Sequence, residues 1–224
     1  MYRQSSDEGK KIIKSLVQIV LCLLIAIVLV GLVQQFFFAP VDVIGESMMP
    51  TIASSDDRVF VQKRFYKIDR GDVVVFYRPN SGVDEEDNPA EHITISDFVN
   101  SLPFINKIPK ISDQTAAEEG FTCVIKRVIG VEGDMIQIVY EGTNQAVLYR
   151  NGSKVSDFTM NRKTIFLNLG VNEGTWTVGK DEYFVLGDNR DNSYDSEDYG
   201  CIKANWIMGK VLLARLSGKY TLSL

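Results

Sequence analysis

The apolar residues of this chain follow two different patterns. From Ser15 to Val41 there is no charged residue, and the stretch from Leu16 to Val33 is broken only by Gln18. An α-helix from about Leu16 to Phe38 would measure roughly 34 Å, enough to cross a bilayer. A helix buried in a soluble core would be shorter and would carry a polar stripe, so this stretch predicts a membrane span. Beyond it the pattern changes. Runs such as "DRVFVQKRFY", "GDVVVFYR", "CVIKRVIGV", "MIQIVY", "AVLYRNG" and "YFVLGD" are short, rich in Val, Ile, Phe and Tyr, and separated by clusters of Gly, Asn and Asp. Such punctuation predicts a mainly β fold built from two coiled antiparallel β-sheets. "YRNGSKV", with Asn-Gly between strand-like flanks, predicts a tight hairpin.

These patterns divide the chain into an N-terminus at 1–14, a transmembrane anchor at 15–39 and an exported domain at 40–224. Within that domain the strand-like runs assign a core to about 40–78, 121–139 and 181–216. Residues 79–120 contain Pro, acidic runs and apolar pieces without alternation, and read as an insertion with a short helix near "TISDFVNSL". Residues 140–180 are polar hairpin material, expected to form a smaller second lobe inserted into the first. The apolar run exceeds the roughly 7 to 15 residues of a removed secretion signal, and "FFFAP" supplies a poor cleavage site, so the span reads as retained. Lys10, Lys11 and Lys14 precede it, whereas Asp42, Glu46, Asp56 and Asp57 follow. The positive-inside rule therefore puts the N-terminus in the cytoplasm and the remaining domain outside, at the cell membrane.

Charge narrows the partners. With 24 basic against 29 acidic residues and a net charge of -5, the chain has no global positive field for a nucleic acid. The three cysteines show no metal-type spacing. Cys22 lies in the span, and outside it Cys123 and Cys201 either pair or remain thiols, because a domain of this size does not need the bridge.

The catalytic possibilities begin with what is scarce. His92 is the single histidine and lies in the irregular 79–120 segment, and "GESMM" lacks the second glycine of a nucleophile elbow. Both points count against a Ser-His-Asp triad. A serine can instead be activated by a neutral lysine, whose free value near 10.4 must then fall by roughly three units, about 4 kcal/mol, through burial. In "CVIKRVIGV" the alternate neighbours of Lys126 are Val124 and Val128, which would line an apolar face with it, while Arg127 points to the other face. The competing reading places both basic residues on a polar strand edge.

Four boxes in order change that balance: "SMMPT" at 47–51, "RGDVVVF" at 70–76, "KRVIGVEGD" at 126–134 and "GDNRDNSYDSEDYG" at 187–200. Together they resemble the bacterial type I signal peptidases, membrane-bound serine-lysine proteases that release exported proteins from their signal sequences. The resemblance implies that fold, with Ser47 as nucleophile and Lys126 as general base. It implies that Ser193 orients the lysine amine and that Asp188, Asn189, Arg190, Asp191 and Asp195 support the site. The resemblance also implies that the Ser47 amide is an oxyanion donor, with Gly45, where some relatives carry a hydroxyl, as a further candidate. Met48 and Met49 offer an adaptable apolar surface for lipid or peptide, or else fill the core, and Pro50 stiffens the exit of the turn. The implied substrates are preproteins with small residues at the first and third positions before the cut, met at the bilayer surface. No metal or organic cofactor is implied. A calcium loop starting at Asp191 would need glycine at Ser196 and glutamate at Ile202, so calcium is disfavoured.

The chain departs from the family at Glu132, where proline is usual, at Glu197, where arginine is usual, and in the length of 79–120. Some pilus-associated relatives lack the dyad. Two classes of function therefore stand: a signal peptidase, or a membrane-anchored assembly factor that binds a surface protein such as a pilin without cutting it.

Overall fold

The computed structural model describes residues 2–52, 57–80, 110–112, 120–140, 145–161, 174–190, 192–216 and 218–222. His92, Asp191, Asp56 and the helix expected near "TISDFVNSL" lie outside them. The chain divides into two units, one containing the N-terminal helix and the other the strands.

Helix α1 spans Tyr2–Phe36. It starts well before the sequence-based boundary because the polar residues ahead of Lys10 contain no proline, and the lone Gly9 does not stop a helix that is already nucleated. Its Lys10–Val33 segment has a mean hydropathy of 3.2 and is long and apolar enough to cross a membrane. Leu16, Leu21 and Leu24 are each more than half exposed, as lipid-facing side chains require.

Nine of the described strands form one sheet and four form a second. The strands are β1 (Phe38–Ile44), β2 (Arg58–Gln62), β3 (Val73–Pro79), β4 (Lys110–Ser112), β5 (Phe121–Gly130), β6 (Met135–Tyr140) and β7 (Gln145–Arg150). They continue with β8 (Ser153–Asn161), β9 (Gly174–Thr177), β10 (Glu182–Leu186), β11 (Ile202–Lys203), β12 (Ile207–Leu216) and β13 (Lys219–Leu222). The large sheet runs β11-β10-β5-β3-β12-β2-β1-β4, with β13 also on β12. Its pairings of β10 with β11 and β5, of β3 with β5, and of β12 with β2, β3 and β13 are antiparallel, whereas β1 runs parallel to β4, with Val43 opposite Ile111. The antiparallel sheet architecture is as expected, and the parallel contact draws on the segment read as an insertion.

In the second sheet, β8-β7-β6-β9, strands β7, β8 and β9 fall within 140–180, whereas β6 comes almost wholly from 121–139, the stretch assigned to the core. The predicted hairpin is there: Arg150 pairs with Ser153 across Asn151 and Gly152, both at positive φ. Asn-Gly suits the two left-handed positions of such a turn.

Burial follows the alternation in β1 and β2, where Val41, Val43, Val59 and Val61 point inward. In β3, by contrast, Val73, Val74, Val75 and Phe76 are all buried. Two core clusters explain this, one built on Val73, Val75 and Ile125, the other on Val74, Phe76, Val124 and Val185. A third joins Ile136, Ile138 and Leu148 of the small sheet to Ile129, Phe184 and Leu186 of the large one. Both faces of the central strands β3 and β5 are therefore dry, which is the setting that Lys126 occupies.

Candidate active site

Ser47 lies three residues beyond the end of β1. Gly45, at φ +122, takes a backbone conformation that glycine adopts at little cost, and it turns the chain out of the strand. Met49 N–H donates to the Glu46 carbonyl at 3.1 Å and Ile52 N–H to the Met48 carbonyl at 2.9 Å, so residues 46–52 close into a tight turn. Met48 and Ile52 anchor that turn in the core, at 1% exposure each, while Pro50 is exposed. Of the two readings of Met48, core filling is the one observed. Ser47 itself is buried.

Lys126 lies in the middle of β5, opposite Val74 of β3, and is 0% exposed. Its neighbour Arg127 stands opposite Val73 on one side and Leu186 on the other. Arg127 was expected to point outward. Its side chain is instead about as covered as that of its partner, 11% and 10% exposed, because it forms a two-pronged pair with Asp188. Nε and Nη2 donate at 2.8 and 2.6 Å, and Nη1 donates to the Gly71 carbonyl at 2.7 Å. A fork of this kind satisfies a guanidinium that has left water.

The third part of the site is the segment from Gly187 to Asp195, directly after β10. It is stitched to the Ser47 turn at four points. Asn189 N–H donates to the Ser47 carbonyl at 2.8 Å and its side-chain amide to the Glu46 carbonyl at 2.9 Å. Thr51 Oγ1 donates to Asp188 Oδ2 at 2.5 Å, and Asn192 Nδ2 donates to Glu46 Oε2 at 3.2 Å. Asp188 thus accepts from Thr51, four residues beyond Ser47, and from Arg127, the residue after Lys126. One carboxylate ties together the segments that carry the two predicted catalytic residues.

Gly187 explains the close packing at this junction. A Cβ built there would lie 2.2 Å from Ser193 Oγ and 2.5 Å from the Ser47 carbonyl oxygen. Ser193 Oγ is buried and has no hydrogen-bond partner among the described residues. Asp195 fixes the far end of the segment. Its Oδ2 accepts from Gly187 N–H at 3.0 Å, and it caps a short helix α2 (Ser196–Tyr199) with Asp198 answering from the third helical position. Ser196 Oγ accepts from Val185 N–H at 3.0 Å, tying α2 to β10.

Arg190 is buried at the centre of this segment. Burial pulls it below the ordinary guanidinium value, while Asp195, Asp188 and Glu197 act in the opposite direction. Glu197 is only 7% exposed. The charge departure noted in the sequence therefore sits in the field of a buried cation, which compensates the desolvation of a carboxylate. Glu132 is exposed in the turn after β5.

Cys123 and Cys201 are free thiols. Cys123 packs against the cluster around Val73 and Cys201 against the one around Phe184, which settles the open pairing in favour of thiols. Sequence reasoning did not single out Thr51, Gly187, Asn192 or the pairing role of Arg127. All four lie inside the recognised boxes, so the motif marked the neighbourhood without giving their contacts.

A family model described as signal peptidase, peptidase S26, matches residues 16–215. Signal peptidase I P of Bacillus subtilis subsp. natto is 32% identical over 201 residues, covering 86% of this chain and 84% of that protein. Signal peptidase IB of Staphylococcus aureus is 27% identical over 219 residues, covering 88% of each. The crystal structure of a signal peptidase I from Enterococcus faecalis is similar over 66% of this chain and 99% of its own, at 21% identity and a TM-score of 0.34.

Proposed function

The chain belongs to the signal peptidase family, peptidase S26, and on that premise we propose a membrane-anchored endopeptidase that uses Ser47 as nucleophile and Lys126 as general base. The observation that carries the reading is the Asp188 carboxylate, bonded both to Thr51 beside the nucleophile turn and to Arg127 beside the lysine.

In the reaction, the neutral Lys126 amine takes the Ser47 hydroxyl proton as Oγ attacks the scissile carbonyl. The complete burial of Lys126 penalises the ammonium form and so favours a base. The Ser47 backbone N–H donates to the developing oxyanion, with the Gly45 N–H as a second candidate. Collapse of the tetrahedral intermediate breaks the C–N bond, and the Lys126 ammonium protonates the departing amino terminus. Lys126 then deprotonates a water, which attacks the acyl ester, and the proton returns to Ser47 Oγ. Ser193, buried beside Gly187, is suited to holding the lysine amine in one orientation.

The substrates in this reading are preproteins held in the bilayer by their own apolar segment, with small residues at the first and third positions before the cut. The α1 anchor, with its N-terminus in the cytoplasm, confines nucleophile and scissile bond to one surface and raises their effective concentration.

Cleavage of a detergent-solubilised precursor with an Ala-x-Ala site, by this protein and its Ser47→Ala and Lys126→Met variants, tests the assignment. Cutting after the second alanine, abolished in both variants, is expected. Equal behaviour of all three would remove the dyad and favour the non-cleaving assembly factor.

A further inference from the structure

Glu46 immediately precedes Ser47 and is exposed. Its side chain is not free to sweep through solvent, because Asn192 Nδ2 donates to Oε2 at 3.2 Å while Asn189 Nδ2 holds the Glu46 carbonyl at 2.9 Å. Only Asn192 reaches the carboxylate, and its neutral amide orients that group without neutralising it. The other described acids of the two segments are differently committed. Asp188 is paired with Arg127, Asp195 is buried as the α2 cap, and Glu197 is buried in the field of Arg190. Among the described residues of these segments, Glu46 forms no ion pair. A negative charge is thus held one residue from the proposed nucleophile.

From this we infer that Glu46 is a specificity-determining residue, selecting precursors that carry lysine or arginine within two residues of the scissile bond and disfavouring acidic ones. The inference rests on the assignment of Ser47 as nucleophile, since any substrate bond attacked by Oγ must lie beside Glu46. A cation at such a distance is attracted and an anion repelled through a partly solvated medium, where charge pairs contribute modestly and salt screens them. The Asn192 latch adds pre-organisation, because the carboxylate has already been ordered before substrate arrives.

The test uses the full chain in neutral detergent with three precursors sharing one Ala-x-Ala site. They carry lysine, glutamate or glutamine, first at the middle position x and then at the residue after the cut. At one of these positions the lysine form is expected to exceed the glutamate form in kcat/KM by about fivefold to tenfold, which corresponds to about 1 to 1.4 kcal/mol. Glu46→Gln, which keeps shape and a hydrogen-bond acceptor for Asn192, is expected to bring that ratio within twofold, and Glu46→Asp to retain a preference for lysine. Raising the salt to 0.5 M shrinks the ratio in the unmodified protein only. Because each ratio is read within one variant, a loss of folded enzyme cannot imitate the result. A ratio within twofold in the unmodified protein, or one that survives Glu46→Gln, overturns the inference while cleavage of the glutamine precursor leaves the peptidase reading standing. Failure to cut the glutamine precursor overturns both.

Discussion

Asn189 donates its backbone N–H to the Ser47 carbonyl at 2.8 Å, across 142 positions of sequence. The bond fixes the main chain of the proposed nucleophile from outside its own turn, and Thr51 and Glu46 add further contacts to the same segment. Precision at Ser47 therefore depends on residues 187–192, a dependence that leads to the first prediction.

Gly187→Ala places a methyl group 2.5 Å from the Ser47 carbonyl oxygen and 2.2 Å from Ser193 Oγ. Backbone must shift at the nucleophile, and displacement of about 1 Å at such a site costs on the order of a hundredfold in rate. Steady-state cleavage of an Ala-x-Ala precursor should show about that loss in kcat/KM, with the far-ultraviolet circular dichroism spectrum retained.

The Arg127–Asp188 pair is nearly buried, and removing one member strands the other in a dry setting. Arg127→Ala and Asp188→Ala are each expected to destabilise the protein by about 3–5 kcal/mol. Urea unfolding in detergent, followed by tryptophan fluorescence, measures the loss. Values under about 1 kcal/mol would show that the pair does not carry the junction.

Asp134 provides a pH-dependent prediction. Burial alone would raise its carboxyl, but the Arg70 guanidinium, the Val131 amide and the Asn151 side chain bring it down to about 2. An unfolded aspartate takes up its proton near 3.9. The unfolded chain therefore binds that proton more readily, and stability present above about pH 4 is lost as pH falls toward about 2. Asp134→Asn should flatten this part of the unfolding free energy measured against pH.

The Cys123 and Cys201 thiols should be slow to react. Burial pushes Cys123 up to about 12, and burial together with Glu182 pushes Cys201 up to about 11. At pH 8 thiolate is scarce in both, so brief iodoacetamide treatment should leave them unmodified in the folded protein. Unfolding without reductant should expose both to alkylation, as read by peptide mass. A pair resistant to alkylation until reduced would mean a disulfide instead.

Periodicity disclosed the long apolar helix, the strand-rich domain and the Asn151-Gly152 hairpin because each depends on neighbours a few residues apart in sequence. Its helix boundary was less sharp, since the polar turns before Lys10 continue the helix without any hydrophobic signature. Four ordered boxes marked Ser47, Lys126 and the Gly187–Asp195 segment, and the family match spans all of them.

What periodicity left open concerned Arg127 above all. Alternation on a strand correctly separates it from Lys126, but alternation does not reveal that Asp188, 61 residues away, removes it from water. The same limit hid Thr51 and Asn192, whose partners lie 137 and 146 positions distant. Residue types, the helical and strand-forming segments and the family are all legible along the chain. Which carboxylate meets which cation, which thiols stay apart and which acid remains exposed beside Ser47 emerges only from the folded arrangement. The reason is physical: helix and strand periods arise from local backbone geometry, whereas hydrogen bonds and ion pairs form wherever folding brings polar groups together away from water.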